Sequence, residues 1–320
     1  MSQVPRRARV RAFAKLNLGL KVLGRRPDGF HELRTVFQTI SLSDTLDIEF
    51  TPARRTTVEV ECPIDIPNNL AERAARLVLE STSAAGRVSI RLIKQIPMGG
   101  GLGGGSTDAA AVLLAVPVLA GRRVALQELL RIGSELGSDV PFFLLGGTAV
   151  GLGRGSELYP LPEPAPWRGV LASPGFHVST PQAYAALGRE LTLLPPPDIL
   201  SSFQSCVWVT GAGVPVEGWP APAENDFEEA VFRQYPQLKS LKRTLLRLGA
   251  DPALMTGSGS AVFGVFRSRA RLERAVRSLR KEKVFEIAPV SRARYRSQWW
   301  RSLRAHIDER TWPPQSRYER

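Results

Sequence analysis

Polar and apolar residues alternate from Val10 to Val22 and again from Thr35 to Phe50, which predicts two strands joined through a turn at Arg25 to Gly29. From Asn69 to Ser81 the period changes. Leu70, Ala74, Leu77 and Val78 now recur at the spacing of one helix face. Alternation returns over Val88 to Ile96, a predicted strand that leads into a run of glycines. Beyond the glycines, Asp108 to Leu119 is almost wholly apolar and predicts a buried helix with a late Pro117. Val124 to Leu136 follows as a second helix, with Leu126, Leu129, Leu130, Ile132 and Leu136 on one side.

The second half is punctuated differently. Gly146 to Gly155 reads as a glycine-spaced strand and turn. Twelve of the 25 prolines lie between Pro160 and Pro222, which marks a domain boundary, and Pro195-Pro196-Pro197 reads as a stiff connector. Then come a predicted helix over Asp226 to Leu248, a strand over Ala261 to Phe266, a helix over Ala270 to Lys281 and a last strand over Phe285 to Val290. This mixed order predicts an α+β fold, and 320 residues suffice for two domains with a substantial core. The expected boundaries are 1–160, 161–290 and a basic, Trp-containing extension over 291–320.

The stretch Pro97-Met98-Gly99-Gly100-Gly101-Leu102-Gly103-Gly104-Gly105-Ser106-Thr107-Asp108 carries the strongest chemical signal. Six glycines in seven positions permit positive φ angles and let successive N–H groups converge on one point. Each glycine costs roughly 0.5–1 kcal/mol relative to alanine in ordered structure, so a mere turn does not account for six. A glycine cradle that opens a helix is a site for phosphate. Gly99, Gly101 and Gly104 also satisfy G-x-G-x-x-G, but helix follows helix downstream and the βαβ unit of a dinucleotide site is missing. No Gly-Lys-Ser/Thr occurs at this loop.

Charge refines this picture little. The chain carries a formal +13, of which residues 1–11 contribute +4 and residues 291–320 contribute +5. Such ends are usually solvated tails, and the modest remainder suits a protein that handles polyphosphates. No apolar run reaches 18 residues and no leader-like segment opens the chain, so we expect no membrane span and a cytoplasmic location. Cys62 and Cys206 form no C-x-x-C pair, and His31, His177 and His306 lack metal-ligand spacing. No metal is expected to be held by the chain itself.

Three ordered stretches resemble the GHMP kinases. They are Ala14-Lys15-Leu16-Asn17-Leu18 with Gly24-Arg25-Arg26-Pro27-Asp28-Gly29-Phe30-His31-Glu32-Leu33, the glycine loop itself, and Met255-Thr256-Gly257-Ser258-Gly259-Ser260-Ala261-Val262-Phe263. The doubled glycine triplets are similar to the branch that phosphorylates the 2-hydroxyl of 4-diphosphocytidyl-2-C-methyl-D-erythritol in non-mevalonate isoprenoid synthesis. The resemblance spans roughly residues 8 to 290. It implies an N-terminal domain like the second domain of ribosomal protein S5, a ferredoxin-like C-terminal domain and a cleft between them. It also implies ATP with Mg²⁺ as co-substrate, a small-molecule acceptor, and a monomer or homodimer.

The resemblance distributes roles among the residues. ATP is expected on Asn69, Lys94, Pro97, Gly99, Gly100, Gly101, Leu102, Gly103, Gly104, Gly105, Ser106, Thr107 and Asp108. Asp139, in Gly137-Ser138-Asp139-Val140-Pro141, matches the family's catalytic base, and Lys15 matches its lysine partner. Spacing alone reads Asp139 as a helix N-cap and Asp108 as a first-turn acid that suits the helix dipole. Phe30, His31 and Tyr184 match the residues that hold cytosine, with phenylalanine where many members have tyrosine. Asn17 and Thr180 are candidates for the rest of the acceptor. The alternatives are a GHMP kinase for homoserine or mevalonate, and an RNA-binding module that uses the basic ends.

Overall fold

A computed structural model of the chain describes residues 4–26, 28–188 and 223–318. The predicted Pro195-Pro196-Pro197 connector and Cys206 lie outside the described residues.

Strands β1 (Arg6–Arg25) and β2 (His31–Pro52) form the spine of a six-stranded sheet. Both are longer than alternation alone predicts. At the start of β1 the basic residues are not a loose end, since Arg7 and Arg9 pair with Glu49 and Asp47 on β2 at 2.5 and 2.6 Å. Exposed pairs of this kind stabilise by about 1 kcal/mol or less, so they extend the ladder without anchoring it. The remaining strands are β3 (Thr57–Glu61), β4 (Gly86–Ile93), β5 (Thr148–Gly153) and β6 (Glu157–Pro160), in the order β3-β4-β2-β5-β6 with β1 on β2. The β1–β2 register slips at Phe13/Lys15 and at Asn17/Gly19. Such irregularities re-aim side chains, and here they flank the two polar residues that β1 buries.

Helices α1 (Leu70–Ser81), α2 (Gly104–Ala120), α3 (Leu126–Leu136) and α4 (Val140–Leu145) pack with this sheet around one core. Asn69 caps α1 by accepting from Ala71 N at 2.9 Å. α2 starts four residues before the predicted point, inside the glycine run, and its small Ala109, Ala110, Ala111 and Ala115 are all buried. Pro117 falls in its last turn, and Gly121 at φ 80° closes it.

A second, antiparallel sheet is made of β10 (Lys283–Ile287), β7 (Arg168–Ser173), β9 (Val262–Phe266) and β8 (Ala253–Met255), in that order. Around it lie α5 (Thr180–Leu187), α6 (Phe227–Gln234), α7 (Pro236–Arg247) and α8 (Arg269–Ser278). The single helix predicted over Asp226 to Leu248 is thus two. A residue before proline is pushed out of the helical region, and Tyr235 at φ −127°, ψ 74° makes the break before Pro236. A separate apolar cluster, including Leu16, Leu18, Ile40, Leu171, Leu254 and Phe263, joins the two sheets.

The last segment departs most from expectation. α9 (Arg292–Ser302) and the turns after it are not a solvated basic tail. Tyr295, Trp299, Leu303 and Ile307 are buried in the same core as α2, α3 and α4. The arginines of this segment set its charge, but the apolar residues between them decide where it goes.

Candidate active site

Three stretches far apart in sequence meet at the glycine loop through backbone hydrogen bonds. Lys15 N donates to Leu102 O at 3.1 Å, Ser260 N to Gly99 O at 3.3 Å and Ala261 N to Gly100 O at 3.4 Å. The loop therefore rests on β1 to one side and on the turn between β8 and β9 to the other. Gly99, Gly101 and Gly103 alternate at φ 67°, 74° and 71°. A Cβ at Gly101 would stand 2.2 Å from Thr256 O, and one at Gly103 would stand 2.6 Å from Phe143 Cζ. Those two glycines are demanded by the protein's own packing. Gly105 is different, because a Cβ there would meet only Leu70 Cδ1 at 3.6 Å.

At the end of the loop, α2 begins with Gly103 as N-cap and no side-chain cap. Its first N–H groups thus lack an intrahelical partner and carry the positive end of the dipole. Ser106 is half-buried on this turn, while Thr107 and Asp108 are buried. Among the described residues, Thr107 Oγ1 and Asp108 Oδ1 have no hydrogen-bond partner.

Lys94 lies beneath the turn, and a Cβ at Gly104 would stand 3.3 Å from its Nζ. The ammonium is enclosed by two carboxylates. It donates to Asp108 Oδ2 at 2.7 Å and to Asp44 Oδ2. Asp44 is fully buried, and its other oxygen accepts from Gln95 N at 2.5 Å and Ile96 N at 2.8 Å. Burial pulls the Lys94 ammonium down, but the two carboxylates outweigh it and the net shift is upward. Asp108 moves up to about 7, through burial first, against the pull of Lys94 and with the push of Asp44. Asp44 is the clearest residue that sequence reasoning misses. Its one signal is an acid that takes the inward position between Leu42 and Leu46 in the alternation of β2.

Lys15 and Asn17 project from the irregular part of β1 and are 4% and 3% exposed. Lys15 Nζ donates to Asn17 Oδ1 at 2.6 Å and stands 3.5 Å from Asp139 Oδ2. Asn17 Nδ2 donates to Thr35 Oγ1 at 2.7 Å, and Asn17 N to Thr256 Oγ1 at 3.0 Å. Asp139 does occupy the N-cap position of α4, yet its side chain makes no capping bond. The carboxylate is left facing Lys15. Thr35 and Asn225 lie outside the motifs that carry the resemblance, whereas Thr256 lies within the third of them. Asn225 Nδ2 holds the β8–β9 turn through Met255 O at 2.7 Å and Gly257 O at 2.8 Å.

Two of the three predicted cytosine-binding residues, His31 and Tyr184, meet, and Phe30 adjoins His31 in sequence. His31 and Tyr184 stack directly on each other, with ring centroids 4.3 Å apart and planes 20° from parallel. Tyr184 meets Phe227 edge-on at 4.8 Å. Burial, helped by Arg25, holds the His31 imidazole below its ordinary range. Burial and then Asp139 push the Tyr184 phenol up. Phe30 is half exposed, and the Arg154 guanidinium lies 4.5 Å from its ring centroid. Thr180 shares a 2.8 Å hydroxyl contact with Ser258 of the β8–β9 turn. Asn69 is the outlier among the predicted nucleotide residues, because its carboxamide oxygen is used to cap α1. Among the described residues no trio of His, Cys, Asp or Glu forms a metal cage, and no helix is long and apolar enough to cross a membrane.

Comparison with known proteins identifies the family. The GHMP kinases N terminal domain matches residues 69–147, and the GHMP kinases C terminal family matches residues 219–284. The chain is 54% identical over 317 residues to 4-diphosphocytidyl-2-C-methyl-D-erythritol kinase of Solibacter usitatus (strain Ellin6076), covering 98% of each chain. It is 37% identical to the enzyme of that name from Geobacillus sp. (strain WCH70), over 85% of this chain and 92% of that one. A crystal structure of 4-(cytidine 5'-diphospho)-2C-methyl-D-erythritol kinase superposes with a TM-score of 0.72 at 38% identity, covering 88% of this chain and 98% of the other. The chain is an ATP-dependent kinase of the GHMP family, on the branch of the 4-diphosphocytidyl-2-C-methyl-D-erythritol kinases.

Proposed function

We propose that the chain transfers the γ-phosphoryl group of ATP to the 2-hydroxyl of 4-diphosphocytidyl-2-C-methyl-D-erythritol. The observation that carries the chemistry is the 3.5 Å contact between Lys15 Nζ and Asp139 Oδ2 beside the glycine loop. Phosphoryl transfer asks for a phosphate cradle, positive charge near the moving group and a carboxylate to take the hydroxyl proton. The free N–H groups of α2 supply the cradle. Asp139 takes the proton as the hydroxyl oxygen attacks phosphorus. Lys15 orients that carboxylate, while Asn17 fixes Lys15 from the other side.

Mg²⁺ is the usual companion of ATP, and the residues present fit it. It needs only one or two protein oxygens, with phosphate and water completing its shell. Asp108 Oδ1, buried without a partner among the described residues, and the Ser106 hydroxyl are the oxygen donors near the start of α2. When bound, the ion would neutralise charge on the β- and γ-phosphates.

The acceptor's cytosine is assigned to the rim of Phe30, His31 and Tyr184, whose flat faces suit a base. The diphosphate and erythritol are assigned to Asn17 and Thr180. On this reading residues 1–160 hold ATP and residues 161–290 close the acceptor side. The test is ADP release from Mg²⁺ATP with the cytidine compound, homoserine, mevalonate and galactose offered separately. Turnover confined to the cytidine compound supports the proposal; turnover on another acceptor removes the cytosine assignment.

A further inference from the structure

α4 carries Asp139 at its start and has only six residues. A helix that short does not hold itself together in water, and its last four carbonyls lack partners within it. The first of these, Phe142 O, accepts from Gly146 N at 2.9 Å. The next two are met by the C-terminal extension. The Tyr295 hydroxyl donates to Phe143 O, and Trp312 Nε1 donates to Leu144 O at 3.0 Å. Arg292 continues the series, with Nε donating to Gly146 O at 3.2 Å and a terminal nitrogen to Thr148 O at 2.5 Å.

The fit is sterically closed. A Cβ at Gly146 would stand 2.5 Å from Tyr295 Cδ1, and one at Gly147 would stand 2.8 Å from Arg292 Cβ. Tyr295 also packs edge-on against Trp312 at 6.0 Å. The ring of Phe143 meanwhile leaves no room for a side chain at Gly103, the residue that opens α2. α4 therefore links the extension to both Asp139 and the phosphate-binding turn. The extension itself lies beyond the two family matches, which end at residues 147 and 284.

We infer that the C-terminal extension is a positioning element for Asp139, with the Tyr295 hydroxyl and the Trp312 indole N–H capping the carboxyl end of α4. The inference rests on the assignment of Asp139 as general base. Reaction rates fall steeply when a catalytic group is displaced by even an ångström, so loss of a cap reaches the carboxylate through one and a half turns of helix.

Tyr295→Phe and Trp312→Phe each keep an aromatic ring and remove one donor. Trp300→Phe is the control, because its indole N–H goes to Thr311 O at 2.9 Å, inside the extension. kcat and both KM values are measured on the full chain, well below each variant's Tm, with Asp139→Asn alongside. The expected result is a kcat lowered roughly fivefold or more in Tyr295→Phe and Trp312→Phe, with both KM values near those of the parent and Trp300→Phe unchanged. A parental kcat in both variants, a loss that falls on KM, or an equal loss in Trp300→Phe overturns the inference. Near-normal turnover in Asp139→Asn overturns the base assignment and the inference together, whereas a dead Asp139→Asn beside two fully active extension variants overturns the inference alone.

Discussion

Lys94 Nζ donates to Asp108 Oδ2 at 2.7 Å beneath the first turn of α2, and this bond places a buried ammonium and carboxyl under the helix's first N–H groups. With Asp44 also on the ammonium, two carboxylates share one cation. The surplus negative charge is what burial makes costly.

One consequence is a pH dependence of stability. Burial, with Asp44 adding to it and Lys94 opposing, raises the folded Asp108 carboxyl from 3.8 to about 7. The folded state thus keeps a proton that the unfolded chain releases, so this group's contribution to stability is fullest below pH 4. It declines as pH rises to about 7 and is constant above that. Urea unfolding at pH 5 and pH 8 should find the parent less stable at pH 8. Asp108→Asn should flatten that part of the profile, and an unchanged slope in the variant would remove Asp108 as its source.

The Lys15–Asp139 contact leads to a second expectation. Asp139→Asn should lower kcat by about 10²–10⁴-fold, the range of general-base contributions, with ATP affinity near the parental value. Lys15→Met should also lower kcat, because the carboxylate loses the contact that orients it. Pre-steady-state and steady-state kinetics over a pH range check both. Asp139→Asn turnover near the parental rate would falsify the base assignment.

Much of this site was legible in the sequence, but unevenly. Lys15, Asn17 and the glycines lie in contiguous motifs, so a resemblance could locate them. Asp44 and Thr35 could not be found that way, since their partners are reached only when β2 pairs with β1 and β4. Periodicity located the long elements and failed for β3, β7, β8 and α5, whose spans of three to eight residues hold too few repeats to show a period. Taken alone, the glycine run points to a ligand, whereas Gly101 and Gly103 are fixed by Thr256 and Phe143. Charge makes the basic extension conspicuous, but the burial of Tyr295 and Trp299 depends on a distant core that periodicity does not reveal.

His31 offers a test of the acceptor side. Its ring stacks on Tyr184 and stays largely neutral near pH 7, because burial and Arg25 disfavour the imidazolium. His31→Ala removes one face of the rim and leaves the glycine loop untouched. KM for the cytidine acceptor should rise by roughly tenfold or more, as expected for loss of an aromatic contact with its hydrogen bond, while KM for ATP stays close to the parental value. Equal changes in both would argue against a cytosine site here.

The glycine loop separates two roles that sequence alone cannot. At Gly103 a methyl group meets both an unfavourable φ of 71° and the ring of Phe143 at 2.6 Å. Gly103→Ala should therefore destabilise the fold by about 1–3 kcal/mol through backbone strain, whatever happens to ATP. At Gly105 the backbone is helical and a methyl group finds ordinary contact at 3.6 Å. Gly105→Ala should leave Tm unchanged or raise it slightly, since alanine is favoured in a helix by about 1 kcal/mol over glycine. If phosphate seats on the first turn of α2, the same methyl group stands where the ligand must approach, and the KM for ATP rises. Thermal unfolding and ATP titration of the two variants give opposite patterns on this account. A Gly105→Ala protein with parental ATP affinity would move the phosphate site off this turn.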